Sequence, residues 1–442
     1  MRIAFVAAGA AGMYCGSCIH DNTLAAALQR LGHEVALIPT YTPIRTDEHE
    51  VAIDRVFFGA VNVYLQQKVP LFRHTPEVFD RLLDRPALLS WVSRFSSSTD
   101  ARDLGALTLS MLQGEHGKQS KELEKLLDFL VDFEPDLVQL TNSMFLGMTH
   151  RIKERLGVPV VCGLTGEDLF LDDLVQPFYD QVRSEIARRA READGFIAMS
   201  RWYADFMADY LSIERDKIHV IPLGINLDDV RGREDDGPAP PAQGSTTVGY
   251  LGRICPEKGV HLLVEAFRLL AASGSAPTAK LKIAGYVGAR DEAYIARIEE
   301  QVESGELAGR VEILGELDRE AKLSFLRGLD LFSMPTVYKE PKGLPVLEAM
   351  AHGVPVVQPR HGTFPELIEA TGGGVLVEPE SPPALAEAIA GLLADDERRR
   401  ALGATGRKSV HHHFDAETMA TKTLELYRHL ASRPTETLEA TP

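Results

Sequence analysis

No run of apolar residues in the sequence approaches the roughly 20 needed to cross a bilayer as a helix, so no transmembrane segment is expected. The opening Met1-Arg2-Ile3-Ala4-Phe5-Val6 starts like a signal peptide. Its apolar run is short, however, and passes into Gly9, Ala10, Ala11 and Gly12 and then a helical pattern, which reads as a first buried strand and its loop. Cysteine is scarce: four in 442 residues make no disulfide framework, and a reducing cytoplasm is expected. Positive charge is short as well. The 47 Lys+Arg against 64 Asp+Glu leave a net charge of −17, a surface that repels phosphate backbones and anionic headgroups. Nucleic acid is therefore not an expected partner, while a local basic patch can still hold a small anion and peripheral membrane contact stays open. No short repeat occurs. No Asp-x-Asp is placed as a metal site, and no metal cofactor is expected.

What is present is length and rhythm. A chain of 442 residues exceeds what one hydrophobic core usually supports, so two domains are expected. Strand-length apolar runs alternate with helical stretches: residues 3–8, a helix over 22–31, then 35–39, 136–140, 158–163, 195–200 and 218–222. Continuous apolar strands joined by helices predict βαβ units in a parallel sheet buried on both faces. Between about 61 and 130 the rhythm changes to helical stretches (76–83, 121–133) separated by Ser96-Ser97-Ser98-Thr99, which reads as an insertion on the first domain. Residues 235–244, rich in proline, glycine and small residues, read as an exposed linker or long loop. The rhythm then resumes at 247–251, 280–284, 311–314, 329–334, 354–358 and 375–377. The fold class expected is α/β, two Rossmann-like doubly wound parallel-sheet domains facing a cleft. The first covers 1–225 and the second 226–410; a helix over 411–432 and a frayed tail over 433–442 follow.

Two segments of the second half carry the chemistry. Gly252-Arg253-Ile254-Cys255-Pro256-Glu257-Lys258-Gly259 follows a strand and opens a helix, so Arg253 and Lys258 can converge on a diphosphate, helped by backbone N–H groups and the helix dipole. Its plainer alternative is a loop with two solvated cations. In Glu340-Pro341-Lys342-Gly343-Leu344-Pro345-Val346-Leu347-Glu348-Ala349-Met350, two glutamates flank a turn that starts a helix. Gly343 and Leu344 offer N–H groups there, and Glu348 can accept from vicinal hydroxyls. Acidic residues complementing a helix dipole are the alternative there.

Together these segments resemble the retaining glycosyltransferases of family four, which have the two-lobed GT-B fold. The likeness covers about 247–378 and includes Gly353-Val354-Pro355-Val356-Val357 and Gly373-Gly374-Val375-Leu376-Val377. It implies a retaining hexosyltransferase that takes a nucleoside-diphosphate sugar as co-substrate and an acceptor the sequence does not name. By the same resemblance Arg253 and Lys258 clamp the donor diphosphate, and Glu340 sits by the sugar hydroxyls. Gly343 and Leu344 present N–H groups to phosphate or sugar, and Glu348 binds the ribose. Lys342 stands where the family more usually has a neutral residue. Fixed cations and helix N–H groups stabilise the departing diphosphate without a metal, and a phosphate oxygen takes the acceptor's proton, so no flanking carboxylate pair is needed. The final pattern over 416–430 would pack back on the first lobe.

The first lobe contributes less. Residues 9–18 join the first strand to its helix, where glycines allow close backbone approach and an anion nest; Gly12 and Gly16 are the donor-binding candidates. The spacing is not G-x-G-x-x-G, which argues against a nicotinamide oxidoreductase. Cys15-x-x-Cys18 has two functional alternatives, a thiol–disulfide pair at a helix start and half of a zinc site for which Cys162 and Cys255 stand alone, but small residues tolerated in a tight loop is the reading expected over both. Glu167 and Asp168 are candidate acceptor or sugar contacts, equally readable as a helix start, in a segment where the family often has histidine. Gly224-Ile225-Asn226 resembles the family's interdomain G-I/V-D with asparagine for aspartate. Adjacent histidines on a helix point about 100° apart, so His411-His412-His413 reads as a solvated helix end. A phosphorylase would need a longer chain with a pyridoxal phosphate lysine. A nucleotide-sugar epimerase and a catalytically inactive sugar-nucleotide-binding protein are the remaining alternatives. Oligomeric state is not encoded in any pattern found.

Overall fold

The computed structural model describes residues 1–9, 15–69, 101–230, 246–303 and 305–433. Gly12, the helical stretch 76–83, the serine run 96–99 and the linker 235–244 lie outside the described residues.

Among the described residues, twelve strands form two parallel six-stranded sheets. The first has the order β2-β1-β3-β4-β5-β6, from β1 (Arg2–Ala7), β2 (Glu34–Pro39), β3 (Leu137–Leu140), β4 (Val160–Gly163), β5 (Gly195–Ala198) and β6 (Ile218–Val220). The second has the order β12-β11-β10-β7-β8-β9, from β7 (Thr247–Leu251), β8 (Lys280–Ala284), β9 (Val311–Gly315), β10 (Leu331–Phe332), β11 (Val356–Pro359) and β12 (Gly374–Val377). Ile3, Ala4, Val6 and Ala7 of β1 and all of β3 except Gln139 are fully buried. Burial on both faces is why these strands read as unbroken apolar runs rather than alternating ones. Each sheet is doubly wound. Its order reverses between β1 and β3 in the first and between β7 and β10 in the second, and loops leaving adjacent strands in opposite directions open a crevice there.

The helices bury one stripe. In Ser120–Phe133, Leu123, Leu126, Leu127 and Leu130 face inward at helical spacing, and the chain turns out of the helix at Glu134, whose backbone is left-handed. The helix Arg201–Leu211 starts where the Ser200 hydroxyl accepts from the Tyr203 N–H, and it buries Tyr203, Ala204, Met207, Ala208 and Leu211.

The chain divides into two compact units, one of Met1–Pro222 with Met419–Pro442, the other Leu223–Thr418. These borders differ from the expected breaks after 225 and 410, for a local reason. Ile225 donates to Phe414 O (2.8 Å) and accepts from Ala416 N (3.0 Å), which ties the Gly224-Ile225-Asn226 stretch to residues 414–416 and draws both into the second unit. The last described helix, Ala416–Ala431, brings Tyr427 into the core of the first. Its hydroxyl donates to Gln139 of β3, and its ring meets Phe5 of β1 edge-on at 6.5 Å. The histidine run closes the helix Asp396–His413, and His411 Nε2 lies 3.1 Å from Ala351 O.

Gly259 ends the turn Pro256–Lys258 at φ +73°, and a Cβ there would lie 1.8 Å from Pro335 O. Gly157 has a similar φ of +67° with nothing within 4 Å. Gly157→Ala is therefore expected to lose about 1 kcal/mol from backbone strain alone, and Gly259→Ala about 3 kcal/mol from strain plus displaced backbone. Thermal unfolding of the two variants checks this; equal losses would contradict the close approach.

Candidate active site

The second sheet's order reverses between β7 and β10, and the two segments singled out in the sequence leave the carboxyl ends of those two strands. The β7 loop carries Arg253 and Lys258. It folds as a 3₁₀ turn, Pro256–Lys258, then enters the helix Val260–Ser273 through Gly259. The β10 loop carries Tyr338 and Glu340 and enters the helix Leu344–Ala351 through Gly343, whose φ of +75° suits glycine. Backbone bonds fasten the loops together: Val337 N donates to Glu257 O at 2.9 Å, and Gly259 sits against the Pro335 carbonyl.

This brings Lys258 and Glu340 into direct contact. Lys258 Nζ lies 2.7 Å from Glu340 Oε2 and 2.8 Å from the Tyr338 hydroxyl, and its charge stands 4.9 Å from the Tyr338 ring centroid. Tyr338 also donates to Glu340 Oε2. The other carboxylate oxygen, Oε1, accepts from the N–H groups of Lys342 and Gly343, both at 3.3 Å. Only 3% of Glu340 is exposed. Burial favours its neutral form, but the Lys258 charge and the hydrogen bonds from Lys258 and Tyr338 outweigh it, holding the carboxyl down at about 2. Glu340 is thus a buried carboxylate kept ionised at the positive end of a helix.

Arg253 reaches Cys255 Sγ (3.1 Å, from Nε) and Glu257 Oε2 (3.4 Å, from Nη2). Arg290, in the loop after β8, approaches the other Glu257 oxygen at 3.7 Å. Asp291 beside it is 5% exposed, and its Oδ2 has no hydrogen-bond partner among the described residues. Glu348 is held elsewhere: its Oε1 accepts from Lys322 Nζ at 2.6 Å, so the structure pairs it with the helix Arg319–Arg327 rather than with Lys258 and Glu340. Leu344 is the first residue of its helix. Tyr338, Glu257, Arg290 and Lys322 were not among the sequence candidates. Tyr338, two residues before Glu340, had the clearest signal, being a hydroxyl placed to share a partner with it.

In the first unit, Gly16 opens the helix Gly16–Arg30. Glu167 is spent on backbone: its oxygens accept from Ser143 N (3.1 Å) and Thr165 N (2.7 Å), fixing the turn after β4. Asp168 accepts from the Tyr203 hydroxyl at 2.7 Å, and that hydroxyl accepts from Gly166 N at 2.9 Å. Burial pushes the Asp168 carboxyl up to about 6, the Tyr203 hydrogen bond only partly opposing it. Both carboxylates thus hold the turn through which the helix Asp168–Asp172 begins. Among the described residues, no group of three or more His, Cys, Asp or Glu side chains is placed to hold a metal ion.

Because the folded value of Glu340 lies below its ordinary 4.5, the ion pair stabilises the fold fully above that pH and its contribution fades as pH falls towards 2. Lys258→Met strands a buried carboxylate and is expected to lose about 3 kcal/mol at pH 7, less at pH 3, while Lys258→Met/Glu340→Met loses less than the single variant at pH 7. Urea unfolding at the two pH values measures it; a loss that does not change with pH would contradict the pairing.

Two family profiles match the chain in succession: "Glycosyl transferase 4-like domain" over residues 22–224 and "Glycosyl transferases group 1" over 233–409. Among curated proteins, the chain is 29% identical over 294 residues to D-inositol 3-phosphate glycosyltransferase of Segniliparus rotundus, 63% of this chain and 62% of that one. It is 32% identical to alpha-maltose-1-phosphate synthase of Mycolicibacterium smegmatis, over 57% of this chain and 67% of that one. The chain spans less than two thirds of the first relative's length. Solved structures resemble it over nearly all its length. Sucrose-phosphate synthase from Thermosynechococcus elongatus has a TM-score of 0.68 at 20% identity, covering 97% of this chain and 99% of that one. The catalytic domain of starch synthase IV from Arabidopsis thaliana, bound to ADP and acarbose, has 0.66 at 15%, covering 98% and 100%. Anabaena HepE with UDP and glucose has 0.66 at 19%, covering 97% and 100%. At these identities the likeness is one of fold, two Rossmann-like α/β domains. With both halves matched in order by transferase profiles and the motif residues gathered at the second sheet's reversal point, the chain belongs to the group 1 glycosyl transferases.

Proposed function

We propose that the protein is a retaining hexosyltransferase that moves a sugar from a nucleoside diphosphate to an acceptor without a metal ion. The observation that carries this reading is the Lys258–Glu340–Tyr338 cluster at the carboxyl ends of β7 and β10, beside the N-terminus of the helix Leu344–Ala351 and on the same loop as Arg253. The solved relatives that hold UDP or ADP support a nucleotide ligand.

The chemistry follows from charge. As the anomeric C–O bond breaks, the diphosphate gains negative charge and the sugar carbon becomes oxocarbenium-like. Arg253 and Lys258 supply fixed positive charge to the departing oxygens, and the N–H groups of Gly343 and Leu344 add the helix N-terminus. Glu340, held ionised by Lys258, accepts from a hydroxyl of the donor sugar and thereby orients it. The acceptor approaches the face the diphosphate leaves and gives its proton to a diphosphate oxygen, so configuration is kept. Glu348 is the ribose ligand in this reading and exchanges part of its Lys322 contact for the vicinal hydroxyls. In this reading Gly12 and Gly16 remain the first unit's candidates for donor binding, Gly16 as the first residue of the helix Gly16–Arg30. Glu167 and Asp168 shape the acceptor side by holding their turn. A cytoplasmic setting is part of this reading and rests on the scarcity of cysteine in the sequence; among the described residues no helix is long and apolar enough to cross a membrane.

A screen of nucleotide sugars for slow hydrolysis names the donor, and proton NMR of the product reads its anomeric configuration. Inversion would overturn the retaining mechanism, and donor binding with neither hydrolysis nor transfer would favour an inactive binder. A nucleoside diphosphate at 100 times its Kd is expected to stabilise the protein by about 2.7 kcal/mol, and Arg253→Ala or Lys258→Met to remove that shift measured from each variant's own baseline. Glu340→Gln is expected to lower kcat about 100-fold or more while nucleotide affinity changes little; full activity would remove Glu340 from the mechanism. Chelators are expected to leave the rate unchanged, and loss of activity that a divalent ion restores would overturn metal independence.

A further inference from the structure

The first sheet's reversal point carries a second chemical feature, one that sugar transfer does not use. The helix Gly16–Arg30 leaves the loop after β1, and its N-cap is Cys15, with extended backbone (φ −114°, ψ 125°). The first turn is closed by Ile19 N donating to Cys15 O at 3.0 Å. Cys18 is then the third residue of the first turn. Residues three apart on a helix have Cα atoms about 5 Å apart, inside the range a disulfide spans. Cys15 makes no side-chain capping bond to the first turn, and it is the Cα spacing that places the two cysteines within bridging range.

The two thiols differ in the way a sequential reaction requires. Cys15 is half-buried, whereas Cys18 is 2% exposed. The N-terminus of a fifteen-residue helix stabilises an anion at the N-cap, where a thiolate would form. The other two cysteines have no such partner: Cys162 lies within β4, and Cys255 is engaged by Arg253.

We propose that Cys15 and Cys18 form a reversible dithiol–disulfide site whose oxidant is a small disulfide such as oxidised glutathione. The Cys15 thiolate attacks one sulfur of that disulfide, forming a mixed disulfide and expelling one small thiolate. Cys18, losing its proton to solvent, attacks the Cys15 sulfur, forms the intramolecular bond and expels the second small thiolate. Both leaving thiolates take up protons, so one dithiol and one small disulfide give one protein disulfide and two small thiols. A dithiol reductant reverses the sequence. The bond would staple the N-cap to the first turn of the helix that follows β1. This site stands on its own geometry, independently of the sugar-transfer reading.

The test is thiol counting on the full chain. The protein is equilibrated in dithiothreitol or in oxidised glutathione, then unfolded in acid, alkylated and weighed intact. Four alkyl groups are expected after dithiothreitol and two after oxidised glutathione, with peptide mapping placing the bond between Cys15 and Cys18. Cys18→Ser is expected to trap one glutathione on Cys15. Cys15→Ser is expected to take up none and to keep all three remaining thiols. Four alkylated thiols in both buffers, two trapped glutathiones on the wild-type chain, or a bond to Cys162 or Cys255 would overturn the proposal. Glutathione trapped on Cys18 in Cys15→Ser would overturn the assigned order of attack.

Discussion

The ion pair between Lys258 and Glu340 is the contact on which the architecture of the second unit's site depends. A carboxylate that buried is unfavourable unless a cation and several donors surround it. Here the cation comes from the loop after β7, one donor from Tyr338, and two from the backbone that opens the next helix. Satisfying one side chain therefore fixes the positions of two loops and one helix terminus. The parallel order of the sheet, with β7 and β10 as neighbours, is what brings segments some eighty positions apart in the chain within reach.

The same arrangement explains why charge is arranged here rather than spread. In a protein of net charge −17, the diphosphate site proposed above would need positive potential that the surface at large does not supply. Arg253 and Lys258 are each balanced by a carboxylate, Glu257 and Glu340. In the proposed reading each cation would turn part of its hydrogen-bonding capacity towards the anionic ligand without being left alone.

Strand runs were the most legible feature of the sequence, because parallel strands buried on both faces leave unbroken apolar stretches. The β7 and β8 ranges, 247–251 and 280–284, agree with the structure at both ends. By contrast, β10 is only Leu331–Phe332, shorter than the 329–334 expected, since the chain turns away to present Thr336 and Tyr338. That Lys258 and Glu340 come together was legible because both motifs sit at strand-to-helix junctions. The pairing of Glu348 with Lys322 was not, since it joins residues on two helices with no local pattern. Glu167 and Asp168 were visible as a helix start; that they are consumed by Ser143, Thr165 and Tyr203 depends on tertiary neighbours that sequence spacing does not encode.

The placement of Tyr427 bears on the order in which the molecule can be made. Gln139 and Phe5 belong to strands synthesised early, yet the aromatic ring that covers them arrives only after the whole of Leu223–Thr418 has been translated. During synthesis the first sheet therefore waits with part of its apolar face uncovered while the second unit emerges and folds. A helix made late thus seals a sheet laid down well before it.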